Sequence, residues 1–121
     1  MLLKGKPTSP IINNKETEIN GCNVNLTWSP PRKDACPIAK YIVHYRQKTS
    51  QDNETDWRQI SASQVTKTFL YIPLFCDTKY EFAVSAHNGK MESGWSNVWQ
   101  VQINSGVIVL YVTYVDLHES F

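Results

Sequence analysis

Residues 76–88 read CDTKYEFAVSAHN. Within this run Tyr80, Phe82, Val84 and Ala86 alternate with Glu81, Ala83 and Ser85. A period of two places the first set on one face of an extended strand and the second set on the other. A tyrosine opens the run, and Cys76 stands four residues ahead of it. Why the strand starts with a tyrosine and what the cysteine does are the two points from which the rest of the chain is read.

The same period recurs along the chain. Cys22, Val24, Leu26 and Trp28 alternate with Asn23, Asn25 and Thr27, and SPPRKDACP then breaks the pattern. Tyr41, Val43 and Tyr45 alternate with Ile42, His44 and Arg46. A polar stretch, QKTSQDNET, precedes a short segment around Trp57 and Ile60. TKTFLYIPL is β-branched and aromatic and ends at Pro73, and Phe69 and Tyr71 are assigned to the core. After NGKMESG, residues Trp95 to Ile103 read as a last strand with Trp99, Val101 and Ile103 on one face. No stretch keeps helical spacing over three turns. About seven short strands separated by turn signals predict an all-β, immunoglobulin-like sandwich of antiparallel strands.

Bulk composition fits one domain. The chain has 121 residues, 41% hydrophobic and 19% charged, with a formal net charge of +1. The charge exerts no general pull on nucleic acid or acidic lipid, and Lys4, Lys6 and the Arg32-Lys33 pair read as solvated loop charge. MLLKGKPTSP lacks the apolar stretch of a signal peptide. No apolar run reaches the roughly 18 residues that span a bilayer, so no direct membrane insertion is expected. The expected division is a linker over 1–6, one domain over 7–104 and an apolar extension over 105–121.

In a two-sheet sandwich the chain crosses between sheets. At one such corner a tyrosine buries its ring while its hydroxyl bonds backbone a few residues upstream. The order needed is an apolar anchor, a short loop, then the tyrosine at the head of a strand. Leu74, the loop 75–79 and Tyr80 supply it.

With those pieces in order, residues 7–103 resemble the fibronectin type III family. Val24-x-Leu26-x-Trp28 followed by Ser29-Pro30-Pro31 is similar to its second strand, and Pro37 to Tyr45 to its third. Trp57 falls where the short fourth strand often carries a tryptophan. Phe69, Tyr71, Leu74 and Tyr80 match the family's spacing before the corner, and Phe82-x-Val84-x-Ala86-x-Asn88 the strand after it. Cys76-Asp77 stands where the family commonly has Pro-Gly, and no Arg-Gly-Asp tripeptide is present. Cys36-Pro37-Ile38 and Ala86-His87-Asn88 resemble adhesion-type modules of the Down syndrome cell adhesion molecule and its relatives.

The sandwich implied by this resemblance puts Cys22, at the start of the second strand, and Cys76 at one pole, with Cys36 at the other. If any pair bonds, it is Cys22 with Cys76. Three reduced, buried thiols are the alternative. A bridge would imply an oxidising compartment. Two glycosylation sequons, Asn25-Leu26-Thr27 and Asn53-Glu54-Thr55, point the same way. Asn53 lies in the most polar loop. Asn25 lies on a strand, opposite Leu26, and is usable only if that face is open.

His44, His87 and His118 fall in separate segments, and no Ser-His-Asp spacing, metal motif or phosphate loop is present. No enzyme activity and no cofactor are expected. Trp95-Ser96-Asn97-Val98-Trp99 is similar to the Trp-Ser-x-Trp-Ser motif of class I cytokine receptors, with the second tryptophan one residue late. That family alternates its tryptophans with arginines of the neighbouring strand. Here that strand carries Ala83 and Ser85, so the family's ladder is not expected; Trp99 reads as core and Trp95 as packed at a loop edge.

The resemblance implies a non-catalytic protein-interaction module of a cell-surface adhesion or guidance-type receptor, in the extracellular part of a plasma-membrane protein. Its partner would be an adhesion molecule, a neighbouring domain or a receptor ligand, met by the loops Ser29–Cys36, the turn before Lys67 and Asn88–Gly94. Nucleic acid is not expected as a partner. A ligand-binding module of a class I cytokine-like receptor is the alternative reading, and a scaffold module inside the cell is the third. In the tail SGVIVLYVTYVDLHESF both faces are apolar or β-favouring. It is expected to promote self-association by adding to a sheet edge.

Overall fold

The computed structural model describes residues 6–31, 38–48, 56–60, 67–89 and 91–104. Cys36, Asn53 and the extension 105–121 lie outside the described residues. The described elements are all strands: β1 (Ile11–Ile12), β2 (Glu18–Asn20), β3 (Asn23–Ser29), β4 (Lys40–Lys48), β5 (Arg58–Gln59), β6 (Phe69–Pro73), β7 (Thr78–His87) and β8 (Trp99–Ile103). In the first sheet, β3 pairs with β1, β2 and β6. The second runs β5-β4-β7-β8, and every pairing is antiparallel. The count is eight rather than seven because one edge of the first sheet is interrupted. β1 and β2 pair with opposite ends of β3, and a turn separates them.

The alternating residues of the long strands build the core. Val24, Leu26 and Trp28 of β3 face Tyr41 and Val43 of β4 and Tyr80, Phe82, Val84 and Ala86 of β7, all buried. Trp28 meets Tyr41 edge-on at 5.4 Å between ring centroids. Each such large side chain contributes about 1.5–3 kcal/mol by leaving water. Trp99 and Val101 pack against this cluster half-buried, and Ile12, Ile72 and Ile103 complete it.

Phe69 and Tyr71 are not in the core: they are 48% and 55% exposed. The register explains this correction. Leu70 pairs with Leu26 and Ile72 with Val24, so the even residues of β6 point inward and the odd ones to the outer face. Because FLYIP is apolar on both faces, alternation alone cannot choose between them.

At the pole where β6 hands over to β7, the Phe75 N–H donates to the Tyr80 hydroxyl at 2.9 Å. The Tyr80 ring is buried and Leu74 packs half-buried beside the core. The turn leading in places Asp77 at φ 56°, in the left-handed region. A short polar side chain tolerates that conformation, which explains how aspartate stands where glycine is common. Cys76, the residue before it, is bonded to Cys22 across 54 positions of sequence, with the Cα atoms 5.2 Å apart.

Tyr80→Phe keeps the ring and removes one hydrogen bond. The urea midpoint should fall by the equivalent of about 1 kcal/mol, with the m-value unchanged. An unchanged midpoint would show that the hydroxyl contributes nothing at the corner.

Candidate functional site

The outer face of the second sheet carries polar residues, yet most of it is covered. Ile42 and His44 of β4 and Glu81, Ala83 and Ser85 of β7 are all buried there. What covers them is an aromatic stack. Trp95 lies flat on the His44 ring at 3.9 Å between centroids. Trp57 meets Trp95 edge-on at 5.0 Å. The Arg46 guanidinium lies over the Trp57 ring at 4.4 Å. The row Arg46–Trp57–Trp95–His44 thus places one cation at the end of three aromatic rings and covers the outer side of β7.

The segment that delivers Trp95 departs from the strand expected over Trp95 to Ile103. Only Trp99–Ile103 is strand. Ahead of it, serine hydroxyls stand in for ladder groups. The Ala86 N–H donates to Ser93 Oγ at 2.8 Å and the Val84 N–H to Ser96 Oγ at 2.9 Å. The Ser93 and Ser96 N–H groups return bonds to the Ala86 and Val84 carbonyls, each at 2.8 Å. Phe82 then pairs with Trp99. The contact points on β7 are 86, 84 and 82, while those on the final segment are 93, 96 and 99. Each step therefore inserts one extra residue, as in successive bulges. An inserted residue reverses the facing of the residues beyond it. For that reason Trp95 and Trp99 sit on opposite faces, Trp99 reaching Phe82 at 6.0 Å inside the sandwich.

The next side chain, Asn97, behaves as a piece of backbone. It accepts from the Ile12 N–H at 2.7 Å and donates to the Ile12 carbonyl at 3.4 Å. This pairs the edge of the first sheet with the last segment of the second.

Charge on the outer face is balanced locally. Glu81 receives Arg46 Nε at 2.7 Å and Gln100 Nε2 at 2.5 Å, with Lys48 Nζ at 3.8 Å. Burial pushes the Glu81 carboxyl up, but the hydrogen bonds from Gln100 and Arg46 and the charges of Arg46 and Lys48 hold it below the usual carboxylate range. His44 Nε2 shares a 2.9 Å hydrogen bond with Ser85 Oγ, which lies 3.5 Å from His87 Nε2. Burial lowers the His44 pKa, the Glu92 carboxylate opposes that, and His87 adds to it. His44 is thus held neutral beneath Trp95. The Ser85–His44 pair has the contact distance of a nucleophile and its base, but Ser85 is fully buried under the stack and presents no oxygen to a substrate.

Several of these residues escape a reading by motif. The strand next to Trp95 carries Ala83 and Ser85, not arginines. The cation and the imidazole come instead from β4, one strand further in, with Arg46 opposite Glu81 and His44 opposite Ala83 in the register. The available signal is the alternation of His44 and Arg46 with Tyr41, Val43 and Tyr45, combined with the small residues at 83 and 85.

At the pole shared by the β3–β4, β5–β6 and β7–β8 connections, Asn88 closes a turn. Its Oδ1 accepts from the Met91 N–H at 3.0 Å. The segment beyond exposes Met91, Trp95 and Val98.

Residues 6–102 match the family described as Fibronectin type III domain. The chain belongs to the fibronectin type III family. This fibronectin type III chain is 30% identical over 67 residues to the cell adhesion molecule DSCAM of Gallus gallus; the match covers 55% of the chain and 3% of that protein. In three dimensions it is similar to a fourth fibronectin type III domain of human origin, with a TM-score of 0.69, 21% identity and coverage of 87% and 85% of the two chains. It is also similar to the twitchin kinase region of C. elegans, with a TM-score of 0.65, 24% identity and coverage of 84% of this chain and 17% of that one. Both structures share its fold.

The two depressed pKa values have the same sign of consequence. Each group binds protons more readily unfolded than folded, so stability is full above its unfolded value and falls as pH drops through the folded one. A denaturant-midpoint profile should decline first below about pH 6.5, the range of His44, and again below about pH 4.3, the range of Glu81. His44→Gln should remove the first decline and Glu81→Gln should flatten the second. Profiles unchanged by these substitutions would place the titration elsewhere.

Proposed function

We propose that this fibronectin type III chain is a non-catalytic, extracellular interaction module of a cell-surface adhesion or guidance-type receptor. The observation that carries the reading is the Cys22–Cys76 disulfide, because such bridges persist in oxidising compartments. The similarity to the cell adhesion molecule DSCAM supports the adhesion class. Met91, exposed at the loop pole, and Trp95 and Val98, exposed further along the same connection, supply the apolar surface for a protein partner.

A second reading is favoured by the stack of Arg46, Trp57, Trp95 and His44. It is a cation–aromatic row beside a Trp-Ser motif, as in the module of a cytokine-like signalling receptor that binds a soluble ligand. The two readings differ in what the pole engages. A surface-displayed adhesion module should cluster cells that carry it or its partner, and a ligand module should capture a soluble protein without clustering cells. Met91→Asp should weaken whichever contact is made by about tenfold or more, since it puts a charge into an apolar patch.

The compartment is tested directly. An antibody against the folded chain should label intact cells that express the parent protein, and peptide mapping without reduction should recover Cys22 linked to Cys76. Labelling only after permeabilisation, with both thiols free, would overturn the extracellular reading.

A further inference from the structure

Outside the stack and the pole, two large aromatic residues stand on the outer face of the first sheet and contribute no ring to the core. Phe69 and Tyr71 stand on the edge strand β6 and point away from the core. Their register partners on β3 are Thr27 and Asn25. Those are the two residues that define the sequon Asn25-Leu26-Thr27. Residues directly opposite in an antiparallel pair share a face, with Cβ atoms about 4.5–5.5 Å apart. Val24 and Leu26 are fully buried, so Asn25 lies on the outer face with Tyr71 beside it. On the other side its partner is Glu18 of β2, a strand exposed along its length.

Tyr71 is also held in place. Its hydroxyl accepts from Asn23 Nδ2 at 2.7 Å, which draws the ring toward β3, two positions along the same face from Asn25. Phe69 lies one step up the ladder beside Thr27, with Lys67 Nζ 5.6 Å from its ring centroid.

We propose that Asn25 carries an N-linked glycan and that Tyr71, flanked by Phe69, is the platform on which its first sugar lies. A pyranose ring presents one face of C–H groups, and such a face packs on an aromatic ring that would otherwise stay wet. The glycan is added while the chain is still extended, so a place in the middle of a strand is no obstacle. The donor class is a lipid-linked oligosaccharide pyrophosphate. The bond from Asn25 Nδ2 to sugar C1 forms, the bond from C1 to the pyrophosphate oxygen breaks, Nδ2 loses a proton, and the lipid pyrophosphate leaves. Folding then brings Tyr71 against the attached sugar. The inference rests on the extracellular reading above for its place in the parent protein.

The test uses the full chain secreted from eukaryotic cells behind a supplied signal peptide, with the second sequon silenced by Asn53→Gln in every arm. Supplying the signal makes occupancy independent of where the parent resides, which intact-cell labelling decides separately. Intact mass should show one glycan, absent in Asn25→Gln. An unmodified Asn25 in folded, secreted protein would overturn the proposal. The same sequence from the bacterial periplasm carries no glycan, and its thermal midpoint should be lower by about 4 °C. That difference should persist in Tyr71→Phe, which keeps the ring, and collapse in Tyr71→Ser. Phe69→Ser is the second variant if Tyr71→Ser does not fold. An undiminished difference in the serine variants would show that the sugar does not use the platform.

Discussion

The fold depends on a strand that is covered on both sides although only one side is apolar. Residues 80–86 of β7 are buried without interruption. Tyr80, Phe82, Val84 and Ala86 need only hydrocarbon on their side. Glu81 and Ser85 on the other side would be costly to bury alone. Arg46 and Gln100 answer the first, and His44 answers the second. The β7 backbone beyond Phe82 is satisfied by Ser93 and Ser96 in place of a regular strand. These groups come from three elements, so the polar face of β7 orients β4, the β7–β8 connection and β8 together. The aromatic stack is the apolar lid over that polar layer.

The inner side of β7 was open to a reading by alternation, because Tyr80 to Ala86 allow only one choice of face. β3 and β4 were legible for the same reason. β6 was not: FLYIP can point either way, and only its pairing with Val24 and Leu26 decides. The segment 93–98 was opaque for a different cause. Its three-residue rhythm against a two-residue strand leaves no period that a sequence can show, and the serines at 93 and 96 are the sole hint. The stack was half legible. Trp95 was visible in the Trp-Ser motif and Trp57 as the tryptophan of a short strand, but the guanidinium and imidazole that flank them lie on β4, which is adjacent to β7 only after folding.

The turn before Tyr80 shows how one loop absorbs a change of chemistry. Where Pro-Gly is common in the family, Cys76 and Asp77 take over. Asp77 adopts the left-handed conformation that glycine would hold with less strain. Cys76 replaces the stiffness of a proline with a covalent tie to Cys22, the residue before β3. The tie closes a loop that takes in β3 through β6, so its effect is exerted chiefly by restricting the unfolded chain.

The tie has a further consequence when the chain is pulled by its two ends. Strand order puts the N-terminal strand β1 and the end of β8 at opposite poles, so tension applied through the two ends loads β1 along its length. The hydrogen bonds that resist are those of β1 to β3 and the paired contacts of Asn97 with Ile12. Once they part, the chain cannot extend in full. The stretch between Cys22 and Cys76, a sequence separation of 54, stays closed behind a covalent bond and adds no length. Under load this module would act as a short, stepped extender: its two arms unravel, while the loop that carries β3 to β6 is shielded from tension until a reductant opens it.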